Sequence, residues 1–420
     1  MALLTQSPRG TQDVLPQDAY KWHFVENKMR EICDRFGYGE IRTPTFEHTE
    51  LFARGVGDST DVVDKEMYTF EDRGQRSITL RPEGTAGTVR ALLQSGAFAG
   101  TLPVRSYYLV SCFRYEKPQS GRLREFHQLG IELFGVSGPD ADFESISIAD
   151  RILKSFGLKN IELNINSIGC PKCRSKYRAA LIDYFNGYYD DLCPTCKERL
   201  NKNPMRILDC KEEKCSNIAK GAPLMIDYLC EECSDHFEAV KNMLTEADIK
   251  FTVNPRIVRG LDYYTRTVFE FVYNGRKGLG TVCGGGRYDG LVSLLGGPET
   301  PAIGFGLGIE RLLSTMENEG IEIPKPDGPS LFICCAEDRA YPVARQLVEA
   351  LRDNGIKAMY DINRRSLKAQ MKFANKVGSL YTAVLGGNEL DSNTVTLHNM
   401  ADKSDTALPL TTDAIIGFYK

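Results

Sequence analysis

Two strand-like segments joined by a short turn constrain the fold of this chain more than any other feature. Aromatic and β-branched residues alternate with polar ones from Ser106 to Cys112, and a strand pattern resumes from Phe126 to Phe134. The segment Pro118–Gly121 between them has the composition of a turn. The sequence therefore predicts an antiparallel hairpin, and with it an antiparallel sheet.

The predicted hairpin carries a concentration of charged and aromatic side chains. Arg114 and Glu116 are two residues apart, so on a strand both side chains face the same way, and Phe126 lies on the returning strand. A guanidinium can bind phosphate with two hydrogen bonds, a carboxylate can accept from an amine of a base, and an aromatic ring can stack on it. These residues indicate a nucleotide site. A solvated Arg–Glu pair on an exposed sheet face is the alternative.

Other periodic segments predict the rest of the architecture. A helical pattern from residue 17 to residue 37 ends at Gly37 and leads into a short strand, Gly39–Arg42. Further strands are predicted at 75–80, 268–272 and 281–283, and a glycine-rich helix start is predicted at Gly304–Leu313. The predicted fold class is α+β, a mostly antiparallel sheet with flanking helices.

The length of 420 residues, 42% of them hydrophobic, indicates two or three domains. A Pro-rich segment, Ile323–Pro329, predicts a stiff linker. Beyond it the patterns alternate, with strands predicted at 330–335, 356–360 and 381–385 and helices at 340–354 and 366–377. We expect a first core part at 1–166, a helical cysteine-rich insertion at 167–250, a second core part at 251–323, a linker at 324–329 and a small α/β domain at 330–420.

Charge and hydropathy narrow the class of protein. The formal net charge of −4 argues against a protein that coats nucleic acid, although a local basic stripe can still bind a folded RNA. The first 14 residues lack the pattern of a secretion signal, and the sequence contains no run of about 18 apolar residues. We expect a cytoplasmic enzyme that has no membrane partner.

Four more segments combine glycines with chemically active side chains. Taken singly, each fits an ordinary loop or close helix-to-sheet packing. They are Leu80–Thr85, with a carboxylate and a hydroxyl; Arg259–Tyr264, with a cation and paired tyrosines; Gly284–Asp289, a glycine-lined crossing; and Gly304–Arg311, with an arginine after three glycines.

Together with the hairpin, these segments resemble the histidyl-tRNA synthetases, a family of class II aminoacyl-tRNA synthetases, over nearly the full chain. The resemblance is most specific at residues 259–264 and 284–290. It implies an antiparallel catalytic sheet and a C-terminal anticodon-binding domain. The helix and strand ending at Pro44 would be motif one, through which a homodimer forms; Arg114–Glu132 would be motif two, and Gly304–Arg311 motif three.

The resemblance also implies a reaction and a set of site residues. L-Histidine would react with ATP and Mg²⁺ to give histidyl-adenylate, and the histidyl group would then pass to tRNA(His). The resemblance implies Arg259 and Arg114 for catalysis; Arg114, Glu116, Phe126 and Arg311 for ATP; and, for histidine, Glu83, Thr85 and Gln128 on the α-ammonium side, with Glu132, Tyr263 and Tyr264 at the imidazole side.

Basic residues outside this set are candidates for tRNA contacts. The resemblance implies that Arg122, in the motif-two loop, touches the acceptor end of the tRNA. In the C-terminal domain a basic residue recurs every four positions, which predicts one ridge on a helix. These residues are Arg364, Lys368, Lys372 and Lys376, and a solubilising face is the alternative explanation.

Eight of the thirteen cysteines lie between residues 170 and 233. They form four pairs, three of which have the two-residue spacing that lets both thiolates face one Zn²⁺. Eight thiolates fit two closed tetrahedral zinc sites, with an iron–sulfur cluster, disulfides or reduced unpaired thiols as alternatives. Structural zinc departs from the usual pattern of the resembled family. The pairs are Cys170 with Cys173, Cys193 with Cys196, Cys210 with Cys215, and Cys230 with Cys233.

Two rival functions are compatible with parts of this pattern. One is a synthetase-like regulatory subunit that binds histidine or a nucleotide without charging tRNA, but such proteins usually lack the C-terminal domain and lose active-site residues. Here Arg114, Glu83 and Arg311 are present together with Arg259. The other is a zinc-dependent nucleic-acid-binding module, which would leave the predicted arginine and glutamate pocket without a purpose.

Overall fold

The structure, a computed structural model, describes residues 4–57, 60, 62–118, 121–208, 210, 212–257, 261–275 and 279–420. The chain divides into two compact units, Met1–Ile323 and Pro324–Lys420. Each unit has its own buried apolar core.

The strands in chain order are β1 (Gly39–Glu40), β2 (Phe46–His48), β3 (Tyr68–Glu71), β4 (Ser77–Leu80), β5 (Val104–Phe113), β6 (Glu125–Phe134), β7 (Ile161–Ser167), β8 (Thr252–Val253), β9 (Thr265–Tyr273), β10 (Thr281–Arg287), β11 (Ala302–Gly308), β12 (Leu331–Cys335), β13 (Ala358–Tyr360), β14 (Tyr381–Leu385), β15 (Thr394–Asn399) and β16 (Asp405–Pro409).

The α-helices are α1 (Ala19–Arg35), α2 (Thr49–Val56), α3 (Thr85–Gln94), α4 (Pro139–Ser155), α5 (Pro171–Asn186), α6 (Pro194–Lys202), α7 (Glu213–Ala219), α8 (Glu231–Glu246), α9 (Leu291–Leu294), α10 (Ile309–Asn318), α11 (Ala340–Asp353), α12 (Leu367–Lys376), α13 (Gly387–Ser392) and α14 (Thr412–Tyr419). Shorter helical turns are a π turn at Val62–Glu66 and 3₁₀ turns at Ala97–Ala99, Tyr189–Asp191, Pro204–Ile207 and Met225–Tyr228.

The main sheet of the first unit has the strand order β1-β5-β6-β11-β10-β9-β7-β8. Its interior pairs are antiparallel, and the pairs at its two edges, β1 with β5 and β7 with β8, are parallel. This arrangement confirms the predicted α+β class with a mostly antiparallel sheet. A smaller sheet, β2-β4-β3, lies in the same unit.

The alternation of side chains along β6 sets the two faces of the main sheet. Leu129, Ile131 and Leu133 are buried in an apolar core that also takes residues from α1, α4, α8 and α10. Because successive side chains on a strand point to opposite faces, Gln128 and Glu132 face away from that core. The polar residues of the predicted hairpin therefore share one side of the sheet.

The predicted hairpin is confirmed as β5 and β6, which pair continuously from Val104 with Phe134 to Phe113 with Glu125. The predicted first helix is confirmed as α1, and Gly37 follows it with a φ of 75°, a value that favours glycine. The strand predicted to follow it is observed as β1. Strands β2, β3, β7 and β8 were not identified from the sequence; β2, β3 and β8 are too short to give a period-two pattern.

The helix start predicted at Gly304–Leu313 is wrong for the glycines, which lie in a strand, and is confirmed only from Ile309 onward. Gly304 and Gly306 lie in β11 at the middle of the sheet, and α10 begins only at Ile309. A Cβ atom at Gly304 would overlap the Glu132 carboxylate, and one at Gly306 would overlap the Gln128 amide. Glycine is needed here because neighbouring side chains occupy the space, and not to open a helix.

The cysteine-rich stretch lies between β7 and β8 and is helical, as predicted, from α5 to α8. It has an apolar cluster of its own, which includes Tyr177, Leu181 and Phe185 together with cysteine side chains. Its last helix, α8, also places Phe237 and Val240 in the core of the main sheet. The helix α8 is therefore shared between two cores.

The second unit contains a sheet of order β13-β12-β14-β15-β16. The strands and helices predicted from 330 to 385 are confirmed as β12, α11, β13, α12 and β14, whereas β15, β16, α13 and α14 were not identified. Arg364 does not share a helix with Lys368, because α12 begins at Leu367 and Arg364 has a φ of 51°. The predicted four-membered ridge is therefore wrong at its first position.

Among the described residues, no helix combines the length and the apolar character that crossing a bilayer requires.

Candidate active site and thiol clusters

A cavity of about 600 Å³ lies in the first unit, on the polar side of the main sheet. Its wall includes the glycines Gly284, Gly304, Gly306 and Gly308, which leave the strands β10 and β11 without side chains at these positions. Most of the site residues predicted from the sequence line it: Glu83, Thr85, Arg114, Glu116, Arg122, Phe126, Gln128, Tyr263, Tyr264 and Arg311.

Two of the predicted residues stand apart from this set. Glu132 is not itself among the residues lining the cavity, but it is hydrogen-bonded to residues that are. Arg259 lies outside the described residues. The predicted role of Arg259 stays a prediction.

One end of the cavity is rich in arginine. The Arg114 guanidinium donates from Nε to the carbonyl oxygen of Pro82 at 2.8 Å and lies 5.3 Å from the centre of the Phe126 ring. Arg311, in the first turn of α10, donates from Nε to the Gly121 carbonyl oxygen at 2.8 Å. Arg122 pairs with the Glu116 carboxylate at 3.1 Å. Three cations and one carboxylate thus converge on one wall.

The cations at this end are close enough to affect one another. Burial lowers the pKa of the Arg311 guanidinium below its usual value, and the nearby Arg122 and Arg114 lower it further. Both causes disfavour the charged form. An anionic ligand placed among these groups would relieve the repulsion between them.

The other end of the cavity is built around a buried carboxyl group. Glu132 accepts hydrogen bonds from the hydroxyl groups of Thr85 at 2.7 Å, Tyr108 at 3.1 Å and Tyr288. Burial raises the pKa of Glu132 to about 8, an increase that the hydrogen bond from Tyr288 opposes. Thr85, Tyr108 and Tyr288 all line the cavity. Glu132 therefore fixes the orientation of three cavity hydroxyls.

Tyr108 and Tyr288 were not identified from the sequence. Tyr108 belongs to a strand pattern, in which an aromatic residue is ordinarily a core residue, and Tyr288 belongs to Gly284–Asp289, a segment singled out for its glycines. The available clue was glycine: a Cβ atom at Gly84 or at Gly130 would overlap the Tyr108 ring. A glycine inside a strand indicates that another group approaches closely at that point.

Glu83 holds the start of α3. Its carboxylate accepts from the backbone N–H groups of Thr85 at 2.7 Å and Ala86 at 2.8 Å, the unpaired donors of the first helical turn. Burial raises the pKa of Glu83, while these N–H groups and Arg114 act in the opposite direction. A second buried carboxyl group therefore faces the cavity next to the Glu132 hydroxyl cluster.

The paired tyrosines form part of the same wall. The Tyr263 ring lies 4.8 Å from that of Tyr264 and 5.5 Å from that of Tyr288. Burial raises the pKa of the Tyr263 hydroxyl well above its usual value, so it remains a neutral donor at physiological pH. The aromatic faces and hydroxyls of this end fit a flat, polar ligand.

The eight clustered cysteines separate into two groups of four. Within each group the Sγ atoms all lie within 4.8 Å of one another. Cluster 1 is defined as Cys170, Cys173, Cys230 and Cys233, and cluster 2 as Cys193, Cys196, Cys210 and Cys215. The structure thus supplies a pairing that the spacing alone left open.

The distances within the clusters fit tetrahedral thiolate sites. Sγ separations are 3.6 Å for Cys170–Cys173, 3.9 Å for Cys170–Cys230 and 3.9 Å for Cys193–Cys210. A tetrahedron with Zn–S distances of about 2.3 Å has edges of about 3.8 Å. A disulfide has an S–S bond of only about 2.05 Å, so these groups are free thiols, as the structure assigns them.

The local backbone favours thiolates at these positions. Cys170, Cys193 and Cys230 are the N-cap residues of α5, α6 and α8. Helix N-termini stabilise negative charge. In addition, the N–H group of Cys230 lies 3.1 Å from the Cys173 sulfur, and that of Cys193 lies 3.2 Å from the Cys215 sulfur.

The basic residues of the second unit lie on and before α12. Lys368 and Lys372 are exposed on this helix, as is Lys376. Arg364 pairs with Asp338 at 3.0 Å, and its guanidinium carbon lies 4.7 Å from the centre of the Tyr341 ring. The lysines thus form a basic face that Arg364 adjoins from the preceding loop.

Comparison with known proteins identifies the family. A model described as histidyl-tRNA synthetase matches residues 10–172 and 210–312, and one described as an anticodon binding domain matches residues 330–413. The chain belongs to the histidyl-tRNA synthetase family. Residues 173–209, which contain part of both thiol clusters, lie outside the family match.

Relatives of similar length support the assignment. A histidine–tRNA ligase of Caldanaerobacter subterraneus subsp. tengcongensis is 55% identical over 406 residues, which is 97% of each chain. One from Clostridium perfringens is 53% identical over 416 residues, which is 99% of each chain. The crystal structure of apo histidyl-tRNA synthetase from S. aureus aligns with a TM-score of 0.85 at 40% identity, covering 99% of this chain and 100% of that one.

Membership in this family settles the class of reaction. The chain is a class II aminoacyl-tRNA synthetase, an enzyme that uses ATP to ligate histidine to tRNA. Its C-terminal unit contains the anticodon-binding domain.

Proposed function

We propose that the cavity binds ATP at its arginine-rich end and L-histidine at its tyrosine-rich end, and that histidyl-adenylate forms between them. The observation that carries this proposal is the convergence of Arg114, Arg122 and Arg311 with the carboxyl groups of Glu83 and Glu132 around one cavity. Its volume of about 600 Å³ lies within the range of about 300 to 1,000 Å³ for small-molecule sites.

ATP would be held by charge and by stacking. Arg114 would bind the α-phosphate, and its contact with Phe126 places the guanidinium beside a ring that can stack on adenine. Arg311 would cover the other face of the base and reach the distal phosphate. Glu116 would accept from the adenine amine; a carboxylate accepts several hydrogen bonds, so its pairing with Arg122 leaves capacity for this one.

Adenylate formation would depend on position and electrostatics. An oxygen of the histidine carboxylate attacks the α-phosphorus, a new P–O bond forms, and the bond to pyrophosphate breaks. Arg114 would offset the charge that develops on the phosphate oxygens, and Arg259 is proposed to act beside it. Bound Mg²⁺ would neutralise phosphate charge. Fixed neighbours in one cavity also lower the entropic cost of bringing two substrates together.

Histidine would be recognised by buried polar groups. Glu83, Thr85 and Gln128 would bind the α-ammonium side, while Glu132 and the paired tyrosines Tyr263 and Tyr264 would meet the imidazole. The hydroxyls around Glu132 are already oriented by it, so little reorganisation is needed on binding. A site of this kind rejects amino acids that leave its groups unpaired, by up to about 10⁴-fold.

We propose that each thiol cluster holds a structural Zn²⁺. The donor set, the mutual distances and the N-terminal helix positions all fit tetrahedral thiolate coordination. Cluster 1 would join α5 to α8, and cluster 2 would join α6 to α7 and to the segment that precedes α7. A closed zinc site with four protein ligands contributes to folding and not to chemistry.

The remaining assignments follow from the family. We propose tRNA(His) as the nucleic-acid substrate, with Arg122 at its acceptor end and Lys368 and Lys372, with Arg364, near its anticodon. A homodimer would form through α1 and the segment to Pro44. Phe46, which follows this segment, is 56% exposed, and burial in a dimer would remove that apolar surface from water. A cytoplasmic location fits an enzyme that charges tRNA.

We also propose the domain division expected from the sequence, with core parts at 1–166 and 251–323, an insertion at 167–250, a linker at 324–329 and a C-terminal domain at 330–420. The separate apolar cluster between α5 and the start of α8 supports the insertion. The division of the contacts after Ile323 supports the linker.

ATP–pyrophosphate exchange measured with each of the twenty amino acids tests the proposed site. We expect exchange with histidine alone, and losses of at least about 10²-fold in Arg114→Ala and Arg259→Ala. Arg105→Ala is the matched control, because Arg105 belongs to the same hairpin but pairs with Glu144 at 2.9 Å and is not among the cavity residues. Near-normal exchange in Arg114→Ala would refute the ATP assignment.

A further inference from the structure

Strand β9 begins with a bulge directly after the paired tyrosines. Gly286 of β10 pairs with Val268 of β9, but the next residue, Arg287, pairs with Thr265, three residues away from Val268. Within the bulge Arg266 has a φ of 48°, in the left-handed region that non-glycine residues seldom occupy. A bulge redirects the side chains next to it. The conformation at Arg266 therefore sets the direction in which Tyr264 meets the cavity.

The segment that carries the first thiols of cluster 1 holds this bulge by its backbone. The N–H group of Ile168 donates to the Arg266 carbonyl oxygen at 2.8 Å, and the N–H group of Arg266 donates to the Gly169 carbonyl oxygen at 3.0 Å. Gly169 directly precedes Cys170. Two hydrogen bonds thus stabilise an uncommon conformation from both sides of the same residue.

Two side chains that adjoin the cysteines of cluster 1 make further contacts with the segment of the bulge. Arg174, the residue after Cys173, donates to the carbonyl oxygen of Tyr264. Glu232, between Cys230 and Cys233, accepts from the Arg266 guanidinium. Because the Glu232 side chain is largely exposed, its ion pair contributes little, and Arg174 is the stronger of the two contacts.

A second connection runs from cluster 1 to the same end of the cavity. His236, on the helix α8 that starts after Cys230, lies 3.2 Å from the Asp142 carboxylate. Asp142 in turn pairs with Arg287, and both side chains are fully buried. Arg287 precedes Tyr288, whose hydroxyl binds Glu132. Both helices that carry cluster 1 are therefore attached to the wall proposed to bind histidine.

Cluster 2 approaches this region differently. Arg206, between Cys196 and Cys210, pairs with the Asp262 side chain at 2.9 Å. That contact ends on a side chain two residues before Tyr264, whereas residues that adjoin cluster 1 in the chain are bonded to the backbone of Tyr264 and Arg266.

We infer that cluster 1 is a positioning element for histidine recognition, because its loops clamp the Arg266 bulge and so orient the tyrosine wall of the cavity. Arg174 is the positioning residue that carries the contact. This inference rests on the proposed histidine site. Since coupling between two sites is reciprocal, bound histidine must also stabilise the clamped form of cluster 1.

Steady-state exchange kinetics of Arg174→Ala, Arg174→Lys and Arg178→Ala test the residue. We expect Arg174→Ala to raise the KM for histidine about tenfold while the KM for ATP stays within about twofold. Arg174→Lys keeps a cationic donor and should recover part of the loss. Arg178→Ala is the matched control, because Arg178 lies one turn further along α5 and donates to the carbonyl oxygen of Asn201 inside the insertion.

Equal KM values for histidine in Arg174→Ala and Arg178→Ala would overturn the inference and leave the proposed function intact. Absence of histidine-dependent exchange in the unsubstituted protein would instead defeat the proposed function. The two failures are therefore distinguishable.

Metal release provides a readout independent of activity. The protein as purified is mixed with a chromophoric zinc chelator, with and without saturating L-histidine, and release is followed in time. We expect histidine to slow release of one of two metal equivalents by at least about threefold, and this protection to be lost in Arg174→Ala. Identical release rates with and without histidine in the unsubstituted protein would overturn the coupling.

Discussion

The sheet-built cavity and the cysteine-rich insertion bring distant residues together in different ways. In the cavity, positions are fixed by strand register: Gly304 lies opposite Glu132 because β11 pairs with β6 at that point. In the insertion, the thiols are paired by short spacing in the sequence. The pairs lie at or near the N-termini of helices and pack in a small apolar cluster. Register is a property of the whole sheet, whereas thiol pairs are local.

This difference shows where each region is sensitive to change. In the middle of β11, a methyl group added at Gly304 or Gly306 would overlap the Glu132 or Gln128 side chain, so these two positions leave no room for a Cβ atom. With zinc bound in both clusters as proposed, the insertion can accept changes on its surface but depends on every thiol. We therefore expect thiol substitutions to act on folding of the insertion, and glycine substitutions to act on ligand binding.

Loss of one thiol is expected to produce the largest effect. Cys173→Ser in cluster 1 and Cys196→Ser in cluster 2 should each remove about one metal equivalent and make the insertion sensitive to protease. Structural zinc contributes an apparent binding free energy of about 10 to 16 kcal/mol, far more than a small core of this size can replace. Elemental analysis and limited proteolysis measure the two effects.

Cys334→Ser is the control for thiol loss. Cys334 is buried in the second unit and lies in neither cluster, so its replacement should leave the metal content unchanged. The contrast between the two regions would break down if Cys173→Ser and Cys196→Ser also retained their full metal content.

A methyl group on the cavity wall is expected to have the next largest effect. In Gly306→Ala the new Cβ would overlap the Gln128 amide and displace it, so histidine affinity should fall by about 10²-fold. In Gly308→Ala the Cβ meets only the Arg311 side chain at 3.9 Å, an ordinary contact, and histidine affinity should stay within about threefold. Equilibrium binding of labelled histidine distinguishes the two variants. Equal affinities would show that register does not control this part of the site.

The smallest effect expected concerns the pH dependence of stability. Burial raises the pKa of Glu132 from its usual value of 4.5 to about 8, so between these pH values the folded protein retains a proton that the unfolded chain releases. The free energy of unfolding therefore falls as pH rises through this window. In Glu132→Gln this contribution is absent.

Chemical denaturation at pH 5.5 and pH 8.5 measures this difference. We expect the unsubstituted protein to lose on the order of 1 to 3 kcal/mol more than Glu132→Gln over this interval. Parallel pH profiles for the two proteins would mean that Glu132 is ionised throughout, and that the hydroxyls around it stabilise the charged form more than burial disfavours it.

The sequence predicts local features of both regions well. Alternation and turn composition predict the β5–β6 hairpin, and the two-residue spacing predicts the thiol pairs. Neither determines which elements become neighbours. The pairing of Cys170 with Cys230 and the closeness of Tyr288 to Glu132 depend on the packing of segments that are far apart in the chain.

Sequence patterns and structure differ most at the glycine run of β11 and at Arg364. The run from Gly304 to Gly308 has the composition of a helix start, yet it is a central strand, because the sheet needs an open face there. Arg364 fits the four-residue spacing of a helix, yet its left-handed backbone places it before α12. Both differences occur beside proposed binding residues, where the geometry of a site overrides the local conformational preference of the sequence.

Because α8 contributes to two apolar cores, it limits how far this enzyme can be shortened. Three residues of α8, Phe237, Val240 and Leu244, pack in the core of the main sheet. In the chain, however, α8 follows directly on the segment that bears the thiols. Excising everything between β7 and β8 would strip three large anchors from the main core, each contributing about 1.5 to 3 kcal/mol. A minimal version must therefore be trimmed upstream of Glu231, keeping α8 as scaffolding.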